Sequence, residues 1–281
     1  MMAKLFVTLC RIPLARKLLF KGLYEFLAAF YNKNSEWVFM NYGYDSEEMR
    51  ANRIQLRPED ESERYFIQLY HRVASAVDLK GGRVLEVGSG RGGGASYVKR
   101  YLAPAEMHGL DLSAGAVEFC RKNHGHVEGL RFHQGDAENL PFDSESVDAV
   151  VNVESSHCYR SMPDFLSEVY RVLKPGGHFL FTDFRGELYR DFSGDDPVAT
   201  LRSQLDAAGF TKVEEEDVAG HVREALDVDA LRKKELMARS VPAWMRGMTD
   251  DFAGMEGSVF YEALRTKSIE YLRFVLRKPA G

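Results

Sequence analysis

Cysteine is scarce in this chain of 281 residues, and there is no excess of positive over negative charge. The three cysteines, Cys10, Cys120 and Cys158, lack the spacing of metal ligands, so we expect no metal site. Their small, odd number favours reduced thiols and a cytoplasmic setting. The formal net charge is -5, whereas a nucleic-acid-binding protein usually carries a basic excess. We therefore expect no nucleic-acid partner.

Long apolar runs are absent as well, even in the first thirty residues. The apolar stretches there are interrupted by charge, which is typical neither of a membrane-spanning helix nor of a signal peptide. Two interpretations stay open: a basic amphipathic helix that touches a membrane surface or an apolar substrate, and an ordinary helix packed on its own domain. The charged residues of this segment are Lys4, Arg11, Arg16, Lys17, Lys21 and Glu25.

Strand and helix patterns alternate from Lys80 onwards, which predicts a mostly parallel sheet with helices on both faces, an α/β fold. Residues 1–78 are mostly helical in pattern and form a predicted cap, and the main domain spans 79–281 with a lid helix at 226–255. The predicted strands are Arg83–Val87, Glu106–Asp111, Leu130–Gln134, Val147–Val153, His178–Asp183, Phe210–Val218 and Ser268–Arg277.

The first strand runs into a glycine-rich turn that contains Gly88, Ser89 and Gly90. Glycine lets the backbone approach a ligand closely, and the helix that follows presents free N–H groups to it. Gly88, Gly90 and Gly93 also satisfy the dinucleotide pattern G-x-G-x-x-G, so this turn alone does not name the cofactor. Glu86, two residues earlier, would repel a pyrophosphate but tolerate an ammonium group.

Three further polar positions follow at strand ends. Asp111 ends the second strand, where a carboxylate can accept both hydroxyls of a ribose. Asp136 follows the third strand, and Asn152 and Glu154 end the fourth. A dinucleotide enzyme would leave Asp136 without a role, which favours a different adenosine cofactor.

With these features the sequence resembles the class I S-adenosylmethionine-dependent methyltransferases, and more closely the phthiotriol and phenolphthiotriol dimycocerosates methyltransferases, which methylate a hydroxyl of a long lipid. Four segments carry the closer resemblance: Leu69-Tyr70-His71-Arg72, Gly92-Gly93-Gly94-Ala95-Ser96-Tyr97, Gly135-Asp136-Ala137-Glu138-Asn139-Leu140-Pro141-Phe142 and Asn152-Val153-Glu154-Ser155-Ser156-His157-Cys158-Tyr159. The resemblance implies a Rossmann-like, seven-stranded, mostly parallel sheet with helices on both faces, an N-terminal helical cap and C-terminal lid helices.

The same resemblance implies that S-adenosyl-L-methionine is the cofactor. The glycine turn would cradle its methionine part, Asp111 its ribose and Asp136 its adenine amino group. The predicted cofactor-binding residues are Glu86, Gly88, Ser89, Gly90, Asp111, Leu112, Asp136, Ala137, Asn152 and Tyr70.

An alcohol acceptor needs a base within hydrogen-bond reach, and His157 follows strand four at the rim where open sheets hold their ligands. Alternatively, His157 only caps the next helix. Glu154 could orient the ring of His157 or contact the substrate, and Asp183 could be a second base or an orienting group. We expect O-methylation of an apolar small molecule, natural product or lipid. C- or N-methylation of a sterol-, terpene- or quinone-like molecule is the alternative, and a non-methylating cyclase or binding protein is a remote one.

Overall fold

A seven-stranded sheet organises the protein. The computed structural model describes residues 12, 16–19, 21–22, 38–187, 194–240 and 253–280. The strands are β1 (Arg83–Val87), β2 (Glu106–Asp111), β3 (Leu130–Gln134), β4 (Val147–Val153), β5 (Leu173–Gly186), β6 (Thr211–Asp217) and β7 (Ile269–Arg277). Their order in the sheet is β3-β2-β1-β4-β5-β7-β6; β7 runs antiparallel to both of its neighbours, and the other pairs are parallel.

The first four strands have the predicted bounds, whereas β5 is much longer than the predicted His178–Asp183. Its extension past Asp183 pairs with the start of β7, where Phe184 lies opposite Tyr271. At its other end the predicted turn before His178 is part of the strand, and Leu173 pairs with Val147. Pairing with β7 thus extends one end of β5 and pairing with β4 the other, and the local sequence shows neither.

Helices cover both faces of the sheet because successive strand residues point to opposite sides. In β1, Val84 belongs to one apolar core and Leu85 to the other. The helices are α1 (Glu47–Ala51), α2 (Arg64–Ala74), α3 (Gly93–Tyr101), α4 (Ala114–His124), α5 (Met162–Val172), α6 (Pro197–Ala207), α7 (Ala219–Ser240) and α8 (Val259–Arg265). The first core includes residues of α2, α3, α4, α7 and α8, and the second includes residues of α5 and α6.

Side-chain caps fix where several of these helices begin. Ser113 accepts a hydrogen bond from the Ala116 N–H at the start of α4, and Ser161 does the same for Asp164 at the start of α5. Such caps satisfy backbone donors that the first helical turn leaves without a partner. Helix α3 instead begins directly after Gly92, so its amino end meets the glycine turn.

The predicted cap and lid are described only in part. Helix α2, inside the predicted cap, packs into the same core as the sheet, and its Ile67 and Leu69 are fully buried. Helix α7 begins at Ala219, before the predicted lid start at Leu226. Residues 241–252 of the predicted lid, with Trp244, lie outside the described residues, as does most of 1–37. Within the described ranges, no helix combines the length and apolar character needed to cross a bilayer.

Candidate active site

A pocket opens at the carboxyl ends of β1, β2, β3 and β4. Loops after these strands form its walls, and Val38, Phe39, Met40 and Asn41 close another side. The structure brings nine predicted site residues together in its lining: Tyr70, Gly88, Ser89, Gly90, Asp111, Leu112, Asp136, Ala137 and Glu154.

The glycine turn is shaped so that side chains would not fit. Gly88 has φ of +76°, and a Cβ there would lie 2.1 Å from Ser155 Oγ. A Cβ at Gly94 would lie 2.0 Å from the Tyr70 ring. Glycine at position 88 therefore lets the turn pass close to Ser155, and glycine at position 94 lets the first turn of α3 pass close to Tyr70.

Asp111 is held rigidly at the end of β2. Its Oδ2 accepts a hydrogen bond from the Gly90 N–H at 2.8 Å, and its Oδ1 accepts from the Ser113 N–H at 2.9 Å. The carboxylate thus ties the glycine turn to the start of α4 while lining the pocket. A fixed carboxylate in this position suits the two hydroxyls of a ribose.

Glu86 lies behind the pocket lining. It is 1% exposed, and its Oε1 accepts a hydrogen bond from Tyr70 Oη at 2.6 Å. Its Oε2 is buried and has no hydrogen-bond partner among the described residues. Burial raises the pKa of Glu86 to about 8, because removing the charged carboxylate from water costs more free energy than removing the neutral carboxyl. An orphaned acidic oxygen beside a glycine turn fits the ammonium group of S-adenosylmethionine.

Asp136 meets a residue that the sequence did not assign to the site. Lys17 Nζ lies 2.7 Å from Asp136 Oδ2 and 2.9 Å from Glu138 Oε2. Arg16 donates to the Tyr159 carbonyl at 2.6 Å. Arg16 and Lys17, both in the basic N-terminal segment, thus contact their own domain beside the pocket, whose lining also includes Lys17.

Asn152 does not line the pocket but lies behind two residues that do, Ser155 and Tyr159. It is fully buried at the end of β4. Its amide nitrogen donates to the Val87 carbonyl and to Ser155 Oγ, both at 2.8 Å, and to Tyr159 Oη at 3.0 Å. These bonds brace the strand ends of β1 and β4. By its position Asn152 supports the pocket through Ser155 and Tyr159.

His157 and Asp183 form a buried pair next to the pocket, outside its lining. His157 Nδ1 lies 2.9 Å from Asp183 Oδ1, and the His157 N–H donates to Asp183 Oδ2 at 2.8 Å. Ser156 Oγ also donates to Oδ2, at 2.6 Å. Burial alone would raise the pKa of Asp183, but His157 and Arg185 outweigh it and hold that pKa well below its usual range.

Glu154 does not take the orienting role that the sequence allowed it. It accepts hydrogen bonds from the Tyr42 N–H at 2.8 Å and from Tyr271 Oη. The partner of the His157 ring is Asp183 instead, because β5 carries that carboxylate beside the loop after β4. Burial raises the pKa of Glu154 to about 8.

Aromatic side chains lie beside the His157–Asp183 pair. The His157 ring centre is 4.4 Å from that of Phe184, and Phe184 lies 5.0 Å from Phe260. Tyr42 stacks on Phe260 at 3.8 Å. These residues come from distant parts of the chain, so no motif in the sequence connects them. We name Tyr42, Phe184, Phe260 and Tyr271 the aromatic cluster.

Comparison with known proteins agrees with this architecture. Residues 85–181 match a methyltransferase domain family. A probable phthiotriol/phenolphthiotriol dimycocerosates methyltransferase 2 of Mycobacterium ulcerans is 41% identical over 223 residues, 79% of this chain and 82% of that protein. A fatty-acid O-methyltransferase of Mycolicibacterium smegmatis is 41% identical over 252 residues, 88% of this chain and 86% of the relative. Geranyl diphosphate C-methyltransferase of Streptomyces coelicolor shares the fold, with a TM-score of 0.63 at 17% identity over 91% of this chain and 97% of that one.

The sheet order, the glycine turn and the acids at the strand ends define a methyltransferase that uses S-adenosylmethionine. Within that class, the chain belongs to the family of the phthiotriol/phenolphthiotriol dimycocerosates methyltransferases.

Proposed function

We propose that this enzyme transfers the methyl group of S-adenosylmethionine to a hydroxyl oxygen of an apolar, lipid-like molecule. The observation that carries the proposal is the His157–Asp183 pair beside the pocket. An alcohol loses its proton as it attacks, and a histidine oriented by a carboxylate is a suitable acceptor.

One group of residues in this proposal binds the cofactor, and another accepts the proton of the acceptor hydroxyl. When bound, S-adenosylmethionine supplies an electrophilic methyl group. Asp111 and Asp136 would hold the adenosine part, and the glycine turn with Glu86 would hold the methionine part. His157 receives the hydroxyl proton at Nε2, because Asp183 engages Nδ1. The Asp183 carboxylate then stabilises the imidazolium, as its lowered pKa keeps it ionised.

The apolar nature of the acceptor is proposed from the aromatic cluster and from the relatives. Phe184 is in contact with His157 and packs against Tyr42 and Phe260, so an acceptor that reaches the histidine meets a mostly apolar wall. Two of the relatives reported above are a probable phthiotriol/phenolphthiotriol dimycocerosates methyltransferase and a fatty-acid O-methyltransferase. A cytoplasmic setting and membrane contact through the basic N-terminal segment stay predictions.

The experiment compares acceptors that differ only at the reacting oxygen. Purified enzyme and S-adenosylmethionine are incubated with long-chain lipids that carry a free hydroxyl, and with the same lipids already capped as methyl ethers. We expect release of S-adenosylhomocysteine with the free hydroxyls alone. Equal release with the capped lipids would reject hydroxyl methylation.

A further inference from the structure

Glu154 is a buried acid in the pocket wall that the proposed mechanism does not use. It is 9% exposed and lines the pocket directly after β4. Its backbone has φ of +48°, a left-handed conformation that residues other than glycine rarely adopt. Such a conformation persists only where the surrounding structure fixes it, and it is common at functional sites. The position of this carboxyl group is therefore built into the fold.

The two carboxyl oxygens of Glu154 have different surroundings. Oε1 accepts hydrogen bonds from the Tyr42 N–H at 2.8 Å and from Tyr271 Oη. No residue in the described ranges donates a hydrogen bond to Oε2. Unlike Glu86 Oε2, this oxygen is not among the fully enclosed atoms that lack a partner, so it keeps some accessible surface. The Glu154 carboxyl group can therefore meet a molecule in the pocket.

The chain does not supply a close counter-ion for Glu154 within the residues that the structure describes. No Lys, Arg or His nitrogen lies within 4.0 Å of its carboxyl oxygens there, whereas Asp183 has His157 at 2.9 Å and Arg185 at 3.2 Å. From farther away, Asp183 on β5 disfavours the ionised form of Glu154, and Lys233 on α7 favours it. Burial outweighs these effects and raises the pKa of Glu154 to about 8.

Glu154 lies near the end of the pocket that would hold the methionine part of the cofactor. Strand β4 pairs with β1, which carries Glu86, whereas β3, which precedes Asp136, lies at the edge of the sheet beyond β2. Tyr70 connects the two glutamates, since its hydroxyl donates to Glu86 at 2.6 Å and Glu154 acts on it electrostatically. S-adenosylmethionine carries two positive groups in this part, an ammonium and a sulfonium, and two acids are present to meet them.

We propose that Glu154 gives the pocket a preference for S-adenosylmethionine over its product S-adenosylhomocysteine, by ionising opposite the sulfonium. When the cation is bound, Glu154 releases its proton to solvent. After methyl transfer the sulfur is neutral, so Glu154 takes a proton back from solvent and the product is held less tightly. Glu86 cannot supply this preference, because the ammonium group is present in both molecules. The inference rests on the cofactor part of the proposed function and not on the acceptor.

The test counts the protons that are released when each ligand binds. Calorimetric titrations at one pH, in buffers that differ in ionisation enthalpy, give this number. The probes are S-adenosylmethionine, S-adenosylhomocysteine and sinefungin, in which a carbon bearing an ammonium group replaces the methylated sulfur. Sinefungin separates the effect of positive charge from that of the methyl group. The variant is Glu154→Gln, which keeps the size of the side chain, and the matched control is Glu86→Gln.

In the wild type at pH 7, the two cationic probes should each release up to about one proton more than S-adenosylhomocysteine, because a group with a pKa of about 8 is mostly protonated there. Their affinities relative to S-adenosylhomocysteine should rise by up to about tenfold from pH 7 to pH 8. Glu154→Gln should abolish both effects and lower the preference for the cations by about 10- to 100-fold at pH 8. Glu86→Gln should weaken all three ligands alike and leave the difference in proton release unchanged.

Equal proton release for all three ligands in the wild type would overturn the proposal, and this result does not depend on the folding of any variant. A difference that persists in Glu154→Gln would also overturn it, because another group would then be ionising. Failure of hydroxyl methylation is a separate result. It would appear in the acceptor assay with free and capped lipids, while the difference in proton release and its loss in Glu154→Gln would remain.

Discussion

Replacing His157 by alanine should slow methyl transfer to an alcohol without weakening cofactor binding. General-base assistance contributes about 10²–10⁴-fold to a rate, which corresponds to about 2.7–5.5 kcal/mol of activation free energy. The cofactor should bind normally because His157 does not line the pocket that holds the predicted cofactor contacts. His157 contacts Phe184 and Asp183, so its loss should affect the proton transfer from the acceptor and leave cofactor binding unchanged.

The assay measures release of S-adenosylhomocysteine at saturating cofactor, together with calorimetric titration of S-adenosylhomocysteine. His126→Ala is the matched control, since His126 is exposed. A melting curve monitors folding, because the buried Asp183 carboxylate loses one of its partners in the variant. Near-normal turnover in a folded His157→Ala variant would refute the base role. The proton would then go to another group, or the acceptor would already be ionised.

Three further predictions concern the cofactor site and the buried acids. Asp111→Ala should weaken S-adenosylmethionine binding by about 1.5–3 kcal/mol in calorimetry, because the ribose loses a charged acceptor, and unchanged affinity would remove Asp111 from the site. Gly88→Ala should lower the melting temperature and abolish binding, because its Cβ would lie 2.1 Å from Ser155 Oγ; a normal variant would show that the turn adapts. Stability in urea should fall as pH rises from about 4.5 to about 8, because Glu86 and Glu154 have raised pKa values of about 8 and their neutral forms are favoured in the folded protein. In Glu86→Gln this fall should be smaller, and an identical pH profile would contradict the pKa shift.

The sequence predicts the central strands well because each carries a local pattern. Strands β1 and β4 are short, mostly apolar runs, β2 and β3 mix apolar with polar residues, and all four have the predicted bounds. The same reasoning fails at β5, whose length depends on pairing with β7 about ninety residues later, as between Phe184 and Tyr271. The sequence within a few residues of Phe184 carries no pattern that indicates pairing with Tyr271.

The candidate site divides in the same way. Asp111 and Asp136 lie at the ends of predicted strands, so their arrival in one pocket follows from parallel strand order. The hydrogen-bond partner of the His157 ring could not be predicted in this way. The sequence offers two acids, Glu154 after β4 and Asp183 on β5, and only the register of β4 against β5 places Asp183 at the ring. Lys17 reaches the pocket from a segment far from the motifs, and only tertiary packing places it there.

The most direct test of the account uses S-adenosylmethionine labelled with carbon-13 in its methyl group. The labelled product from a long-chain hydroxy lipid is examined by carbon–proton correlation NMR, which distinguishes a methyl on oxygen from one on carbon or nitrogen. The account predicts a single labelled methoxy resonance that depends on His157. A labelled methyl on carbon or nitrogen, or no labelled lipid while the cofactor binds normally, would contradict it.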